Sequence, residues 1–235
     1  MRRISILCFT LLVCLPLVAQ SVPAQTAPTQ AIPAQPAPGN TVPDADTLWN
    51  ALLAGNRNFV AGHVVYDELK QERAMYRDKQ LPPVTVLACA DSRVPPELVF
   101  SQSIGALFVV RAAGNVADTF GLASIEFAIA NDYTRLLIVL GHEDCGAVAS
   151  SLVVEDPISP NLRALVERIR MSFVNIPYDY QDPANVRRAT EANARASAAA
   201  LSAESKIIRD AVVSGKVKVV PAYYSLATGE VKKLE

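Results

Sequence analysis

The stretch Leu136–Cys145, LLIVLGHEDC, decides the fold and raises the question of function. Its aliphatic half shows no polar alternation, so it reads as a strand covered on both faces, as in a parallel sheet. The run empties directly into His142, Glu143, Asp144 and Cys145, and His142 is one of only two histidines in the chain. A hydrophobic core has no use for that group of side chains, whereas a metal ion has.

Working outward, VTVLA (Val84–Ala88) and LFVV (Leu107–Val110) read as two further buried strands, beside LLIVLG (Leu136–Gly141). Helical spacing of Leu48, Leu52, Leu53, Phe59 and Val60 predicts an N-terminal helical arm. Asp44 or Asp46 would cap it and Gly62 end it. A short helix is expected over 67–77, and others over 119–132, from about Ala147, and over 161–173. One long alanine-rich helix is expected from Pro183 to Ser214. KVKVVPAYYSL (216–226) and ATGEVKKL then close a hairpin through Thr228-Gly229. Aliphatic strands alternating with helices give an α/β fold: a mostly parallel central sheet flanked by helices, with an antiparallel edge hairpin at the C-terminus.

The two ends of the inventory set the compartment and the partner class. Arg2 and Arg3 precede an apolar run from Ile4 to Ala19, too short for a comfortable membrane span. Residues 1–24 therefore read as a signal peptide, cleaved at Ala19 or Ala24, and the protein as exported, periplasmic or secreted, with no stable membrane insertion. A five-residue pattern of Ala-Gln-x-x-Pro type runs over 19–38 (AQSVP, AQTAP, TQAIP, AQPAP), and residues 25–43 read as a disordered linker. The folded domain is expected over 44–235. With a net charge of −1 and no basic stretch, nucleic acid and anionic membrane surfaces are poor partners, and the substrate is expected to be small. Removing the leader takes Cys8 and Cys14 with it, leaving Cys89 and Cys145. In an oxidising compartment two cysteines suggest a disulfide, unless their neighbours say otherwise.

They do. Three strands end in polar residues that packing does not require: CADSR (Cys89–Arg93), RAAGN (Arg111–Asn115) and HEDC (His142–Cys145). Ligands of open parallel sheets collect beyond the carboxyl ends of the strands. If these strands are neighbours, Cys89, His142 and Cys145 meet there. Two thiolates and an imidazole suit zinc, with Asp91 or a water completing a tetrahedron. A disulfide explains neither the histidine nor the nearby Asp91 and Arg93.

Cys-x-Asp-x-Arg in CADSR, followed about fifty residues on by His-x-x-Cys in HEDC, resembles the β-class carbonic anhydrases of the exported bacterial type. The resemblance runs from roughly Asp44 to Leu234. LLAGNRNFVAG looks like the family's N-terminal helix, LFVVRAAGNVAD like its second-strand segment, and AYYSLATGEV like its closing hairpin. It implies a zinc lyase with ligands Cys89, His142 and Cys145, and an Asp91–Arg93 dyad beside the metal. Asp91 would be the fourth ligand in a closed resting state, or would accept a hydrogen bond from zinc-bound hydroxide. Arg93 can hold the carboxylate bidentately, and an ionised Asp91 only accepts hydrogen bonds. The implied reaction is reversible hydration of carbon dioxide to bicarbonate and a proton by a dimer or tetramer. The helical arm, whose apolar residues have no evident partner in a single core, would wrap a neighbouring subunit. Two alternatives share the motifs: a carbonyl sulfide or carbon disulfide hydrolase, and a non-catalytic zinc protein that binds bicarbonate.

The remaining polar residues near the motifs carry plainer expectations. Arg111 braces a strand end or a subunit contact, Asn115 holds a turn with Gly114, and His63 is solvent-exposed. Glu143 and Asp144 are solvated or cap the next helix. Gln102 and Ser103 fall one position away from a pocket-lining glutamine of some family members, so that role does not transfer. Members with an inhibitory bicarbonate pocket carry a tryptophan where this chain has Val86, and its only tryptophan is Trp49. That departure counts against bicarbonate regulation of that kind.

Overall fold

The computed structural model describes residues 42–63, 69–153 and 159–235. The expected signal peptide, most of the expected linker, and residues 67–68 of the expected second helix lie outside them. Five strands form one sheet: β1 (Val84–Ala88), β2 (Leu107–Arg111), β3 (Leu136–His142), β4 (Lys218–Tyr224) and β5 (Val231–Lys233). Their order is β2-β1-β3-β4-β5, with the first four parallel and β5 antiparallel on the edge. Every residue of β1 and β3 is buried, as their unbroken apolar sequences require. The one polar residue of β1, Thr85, meets Thr134 through their hydroxyls at 2.6 Å, which satisfies both groups inside the core.

Alternation along the strands divides the interior into two layers. Val84, Val86, Ala88, Ile138 and Leu140 face α1 (Ala45–Val60), which inserts Leu48 and Leu52. From the sequence these leucines have no evident partner in a single core. They are buried on the chain's own sheet, so no second copy is needed to cover them. Leu87, Leu137 and Val139 face the other way, toward Ile125 and Ile129. That layer also holds Leu201, Ile208 and Ala211. Full burial of each such aliphatic side chain contributes about 1.5–3 kcal/mol, which is why the strands hold one register.

The remaining helices are α2 (Leu69–Met75), α3 (Pro96–Val99), α4 (Thr119–Ala130), α5 (Gly146–Ser151), α6 (Pro160–Arg170), α7 (Pro183–Glu204) and α8 (Lys206–Val213). A 3₁₀ turn spans Ala113–Asn115. The alanine-rich segment is two helices rather than the one expected. Ser205 is extended (φ −121°, ψ 122°), and its hydroxyl accepts from the Ile208 N–H as the cap of α8. The same hydroxyl donates to Glu126 Oε1 on α4 at 2.6 Å, so a tertiary contact rewards the break. Between the two candidate caps of α1 the structure selects Asp44, whose carboxylate accepts from the Thr47 N–H at 2.8 Å. Asp46 pairs instead with Lys218.

The arm is fastened by Asn56. Its Nδ2 donates to Val99 O at 2.9 Å and Gly229 O at 2.8 Å, and its Oδ1 accepts from Val231 N–H at 2.9 Å. One buried amide thus ties α1 to the end of α3 and to the β4–β5 hairpin. Gly55 permits the approach, since a Cβ there would lie 1.9 Å from Phe100 O. Asn56→Ala strands three backbone groups, two of them in buried contacts, and urea unfolding is expected to show a loss of about 3 kcal/mol with an unchanged slope.

Candidate metal centre

Parallel register brings the ends of β1 and β3 level: Ala88 pairs with Leu140 and, across the other edge, with Arg111. Cys89, the next residue after β1, therefore meets His142, the last residue of β3. Cys145 returns to the same place as the residue that opens α5. The ligand atoms of Cys89, His142 and Cys145 all lie within 4.8 Å of one another, and all three residues are buried. Asp91 sits beside them, with Oδ2 4.0 Å from His142 Nε2.

The donors fit a divalent metal on three counts. His142 Nδ1 lies 2.8 Å from Glu143 O, an acceptor, so Nδ1 carries the proton and Nε2 presents a bare lone pair. That Nε2 is buried and has no hydrogen-bond partner among the described residues. The two sulfurs are unbonded at 3.9 Å, close to the roughly 3.8 Å spanned by two ligands of a tetrahedron with zinc–sulfur bonds of about 2.3 Å. Finally, the thiols divide their acidity. The hydrogen bond from Cys145 holds Cys89 well below the usual thiol range, while the same neighbour and burial push Cys145 up. Both become thiolates together only beside a cation.

Arg93 holds Asp91 with a fork. Arg93 Nε and N–H donate to Oδ1 at 2.9 Å each, and Nη2 donates to Oδ2 at 2.7 Å. This pairing keeps the Asp91 carboxyl well below the usual carboxylate range. Arg93 Nη2 also reaches Asp144 O at 3.2 Å, so one guanidinium joins Asp91 to the loop between the other two donors. Arg111 works on the main chain, as its strand-end reading expects: Nε donates to Cys89 O at 2.9 Å and Nη2 to Asp91 O at 2.6 Å.

The structure brings together every expected site residue, with one correction among their neighbours. Glu143 is neither merely solvated nor a cap of α5. Its carboxylate accepts from Ser225 Oγ at 2.9 Å and Ala227 N–H at 2.8 Å, seating the ligand loop in the hairpin turn. Asp144 is exposed and left-handed (φ 49°), which turns its carbonyl toward Arg93. His63 is exposed, Asn115 lies in the turn after Gly114, and Val86 is sealed in the core. The role of Glu143 was hidden in the sequence because its partners lie more than eighty residues away.

The family model described as carbonic anhydrase matches residues 84–231. Carbonic anhydrase 2 of Mycobacterium tuberculosis is 36% identical over 194 residues, covering 81% of this chain and 92% of that protein. The carbonic anhydrase of Mycolicibacterium smegmatis is 36% identical over 191 residues, covering 78% and 90%. Among solved structures, the Coccomyxa β-carbonic anhydrase in complex with acetazolamide aligns with a TM-score of 0.65 at 25% identity, over 78% of this chain and 84% of that one. A structure described as one of two tetrameric β-carbonic anhydrases from Sordaria macrospora aligns at 0.64 with 23% identity, over 80% and 97%, and supports the fold.

Replacing one sulfur tests the donor set. Cys145→Ser is expected to lose most of the zinc retained by the parent after dialysis against a chelator, read by elemental analysis. Full occupancy in that variant would remove Cys145 from the set.

Proposed function

The chain belongs to the β-carbonic anhydrase family, and from that premise we propose that it interconverts carbon dioxide and bicarbonate at a zinc ion held by Cys89, His142 and Cys145. Asp91 and Arg93 form the orienting pair. The observation that carries this reading is the buried His142 Nε2 lone pair, facing two sulfurs and an ionised carboxylate. Zinc, when bound, supplies the Lewis acidity that lets water act as hydroxide near neutral pH.

The chain's own part is orientation. Arg93 occupies both oxygens of Asp91 from one side, fixing the carboxylate plane and keeping it charged. A charged Asp91 accepts and never donates, so any hydroxyl beside it must point its proton at Oδ2 and its lone pair elsewhere, toward the carbon of the substrate. Arg111 fixes the backbone on which Asp91 stands. Direct coordination by Asp91 in a closed resting state is the other use of the same carboxylate.

We also propose export through the Arg2–Arg3 leader and self-association as a dimer or tetramer. No helix among the described residues is long and apolar enough to cross a membrane. β2 is an open edge of the sheet with partly exposed residues, and Phe120 and Phe127 on α4 are 81% and 51% exposed. Such an edge with aromatic cover suits a second copy. Light scattering is expected to give at least twice the mass of one chain; a monomer at micromolar concentration refutes the assembly.

Asp91→Asn can donate where the carboxylate only accepts, and its loss is expected to slow hydration on the order of a hundredfold, about 3 kcal/mol in the barrier. Stopped-flow hydration with zinc measured in each sample decides this, and carbonyl sulfide and carbon disulfide run alongside decide among substrates. Near-parental rates in Asp91→Asn would leave Asp91 a turn residue.

The pH dependence follows from two charges. Because the folded Asp91 lies below its ordinary value, it is ionised throughout the working range, and the stability it contributes is lost only as the solution becomes strongly acidic. Cys89 and Cys145 bring negative charge where three imidazoles bring none, so the activating ionisation lies above the value of about 7 seen in three-histidine sites. Hydration is expected to rise from about pH 7 to 8.5 with zinc fully bound. A flat profile contradicts the assignment.

A further inference from the structure

We infer that Asn193, on α7, is a positioning residue for the metal centre: its side-chain amide clamps the Ala113–Asn115 turn so that the Gly114 N–H is aimed at Cys89 Sγ. The inference rests on the reading of Cys89 as a metal ligand. Asn193 Nδ2 donates to Gly114 O at 2.7 Å, and the N–H of the same Gly114 lies 3.3 Å from Cys89 Sγ. Two residues seventy-nine positions apart are thereby joined directly behind a ligand sulfur.

The turn does not hold itself. Gly114 (φ 66°) and Asn115 (φ 47°) are consecutive left-handed residues, and the second is not glycine, so the turn is conformationally costly and needs outside support. Support comes from two sides. Ile169 of α6 lies against Gly114, where a Cβ would come within 2.8 Å of its Cδ1. Asn193 grips the carbonyl from α7. Helix formation gives no reason for an asparagine here: α7 is alanine-rich around it, and asparagine is a poorer helix former than alanine. Asn193 is 1% exposed, so solvation gives none either.

Cys89 Sγ receives two backbone N–H groups, from Asp91 at 3.4 Å and from Gly114. The Asp91 donor comes from the ligand's own loop. The Gly114 donor comes from a different strand end and depends on where the turn is held. Hydrogen bonds to a ligand sulfur withdraw charge from it and fix its direction. Removing the clamp lets the turn relax, leaving a sulfur that is less firmly aimed and that donates more charge when metal is bound.

Asn193→Ala removes the clamp and suits its alanine-rich helix; Asn193→Asp keeps the shape but presents no N–H to Gly114 O. Ser197→Ala, one turn later on the buried face of α7, is the control for packing. Zinc affinity is read by competition with a chromophoric chelator, and the sulfur-to-metal charge-transfer band is read on the cobalt(II) form. Both Asn193 variants are expected to bind zinc roughly ten- to a hundredfold more weakly and to move the band to longer wavelength, while Ser197→Ala matches the parent in both. If Asn193→Ala lowers the melting temperature but leaves affinity and band parental, Asn193 is a strap between α7 and the turn and the inference is wrong. A parent that binds zinc but does not hydrate carbon dioxide sinks the proposed reaction and leaves this inference standing.

Discussion

Two sulfurs 3.9 Å apart beside an unpartnered imidazole nitrogen form an arrangement that cannot carry two thiolates without a cation. The first thiolate makes the second harder to form, and burial adds to the cost. A cation removes both penalties at once, so the three donors suit a metal ion. Everything that fixes those three side chains in space therefore serves the same end. The parallel register of β1 on β3 does most of it, because it sets Cys89 and His142 side by side with no loop between them to adjust.

The periphery carries the arrangement outward in one connected path. His142 Nδ1–H donates to Glu143 O, and the Glu143 carboxylate is held by Ser225 and Ala227 in the hairpin turn. The hairpin is gripped in turn by Asn56 of α1, through Gly229 O and Val231 N–H. The C-terminal hairpin and the N-terminal arm, which look like edge decoration in the topology, are thus the far supports of a metal ligand. Outer hydrogen bonds of this kind set the tautomer and direction of a ligating histidine.

Much of this was legible in the sequence because the signals are local. Unbroken aliphatic runs located β1, β2 and β3, and polar residues at their ends located the donors. What escaped depends on partners far along the chain. The α7–α8 break is set by Ser205 reaching Glu126, and to local pattern alone the segment is one continuous run of helix formers. The cover for Leu48 and Leu52 is a sheet whose strands begin thirty residues later. Glu143 sits between two ligands, where a solvated acid is the ordinary expectation, and only the folded hairpin supplies it with donors. Asn193 gave one faint sign, an amide among alanines, with nothing nearby to say what it held.

Charge accounting selects the class of ion. Among the described residues no Asp, Glu, Lys or Arg is buried, so no hidden charge needs to be balanced. Asp91 and Arg93 lie against one another and cancel. His142 is neutral when its Nε2 lone pair is free to coordinate. Two thiolates and a neutral imidazole together form a donor set whose charge a doubly charged ion neutralises. A singly charged ion would leave negative charge buried, and a triply charged one positive, each costly in a site closed by Val116, Val148 and Leu152. Sulfur and imidazole donors then favour a borderline-soft metal, such as the zinc proposed above, over magnesium or calcium.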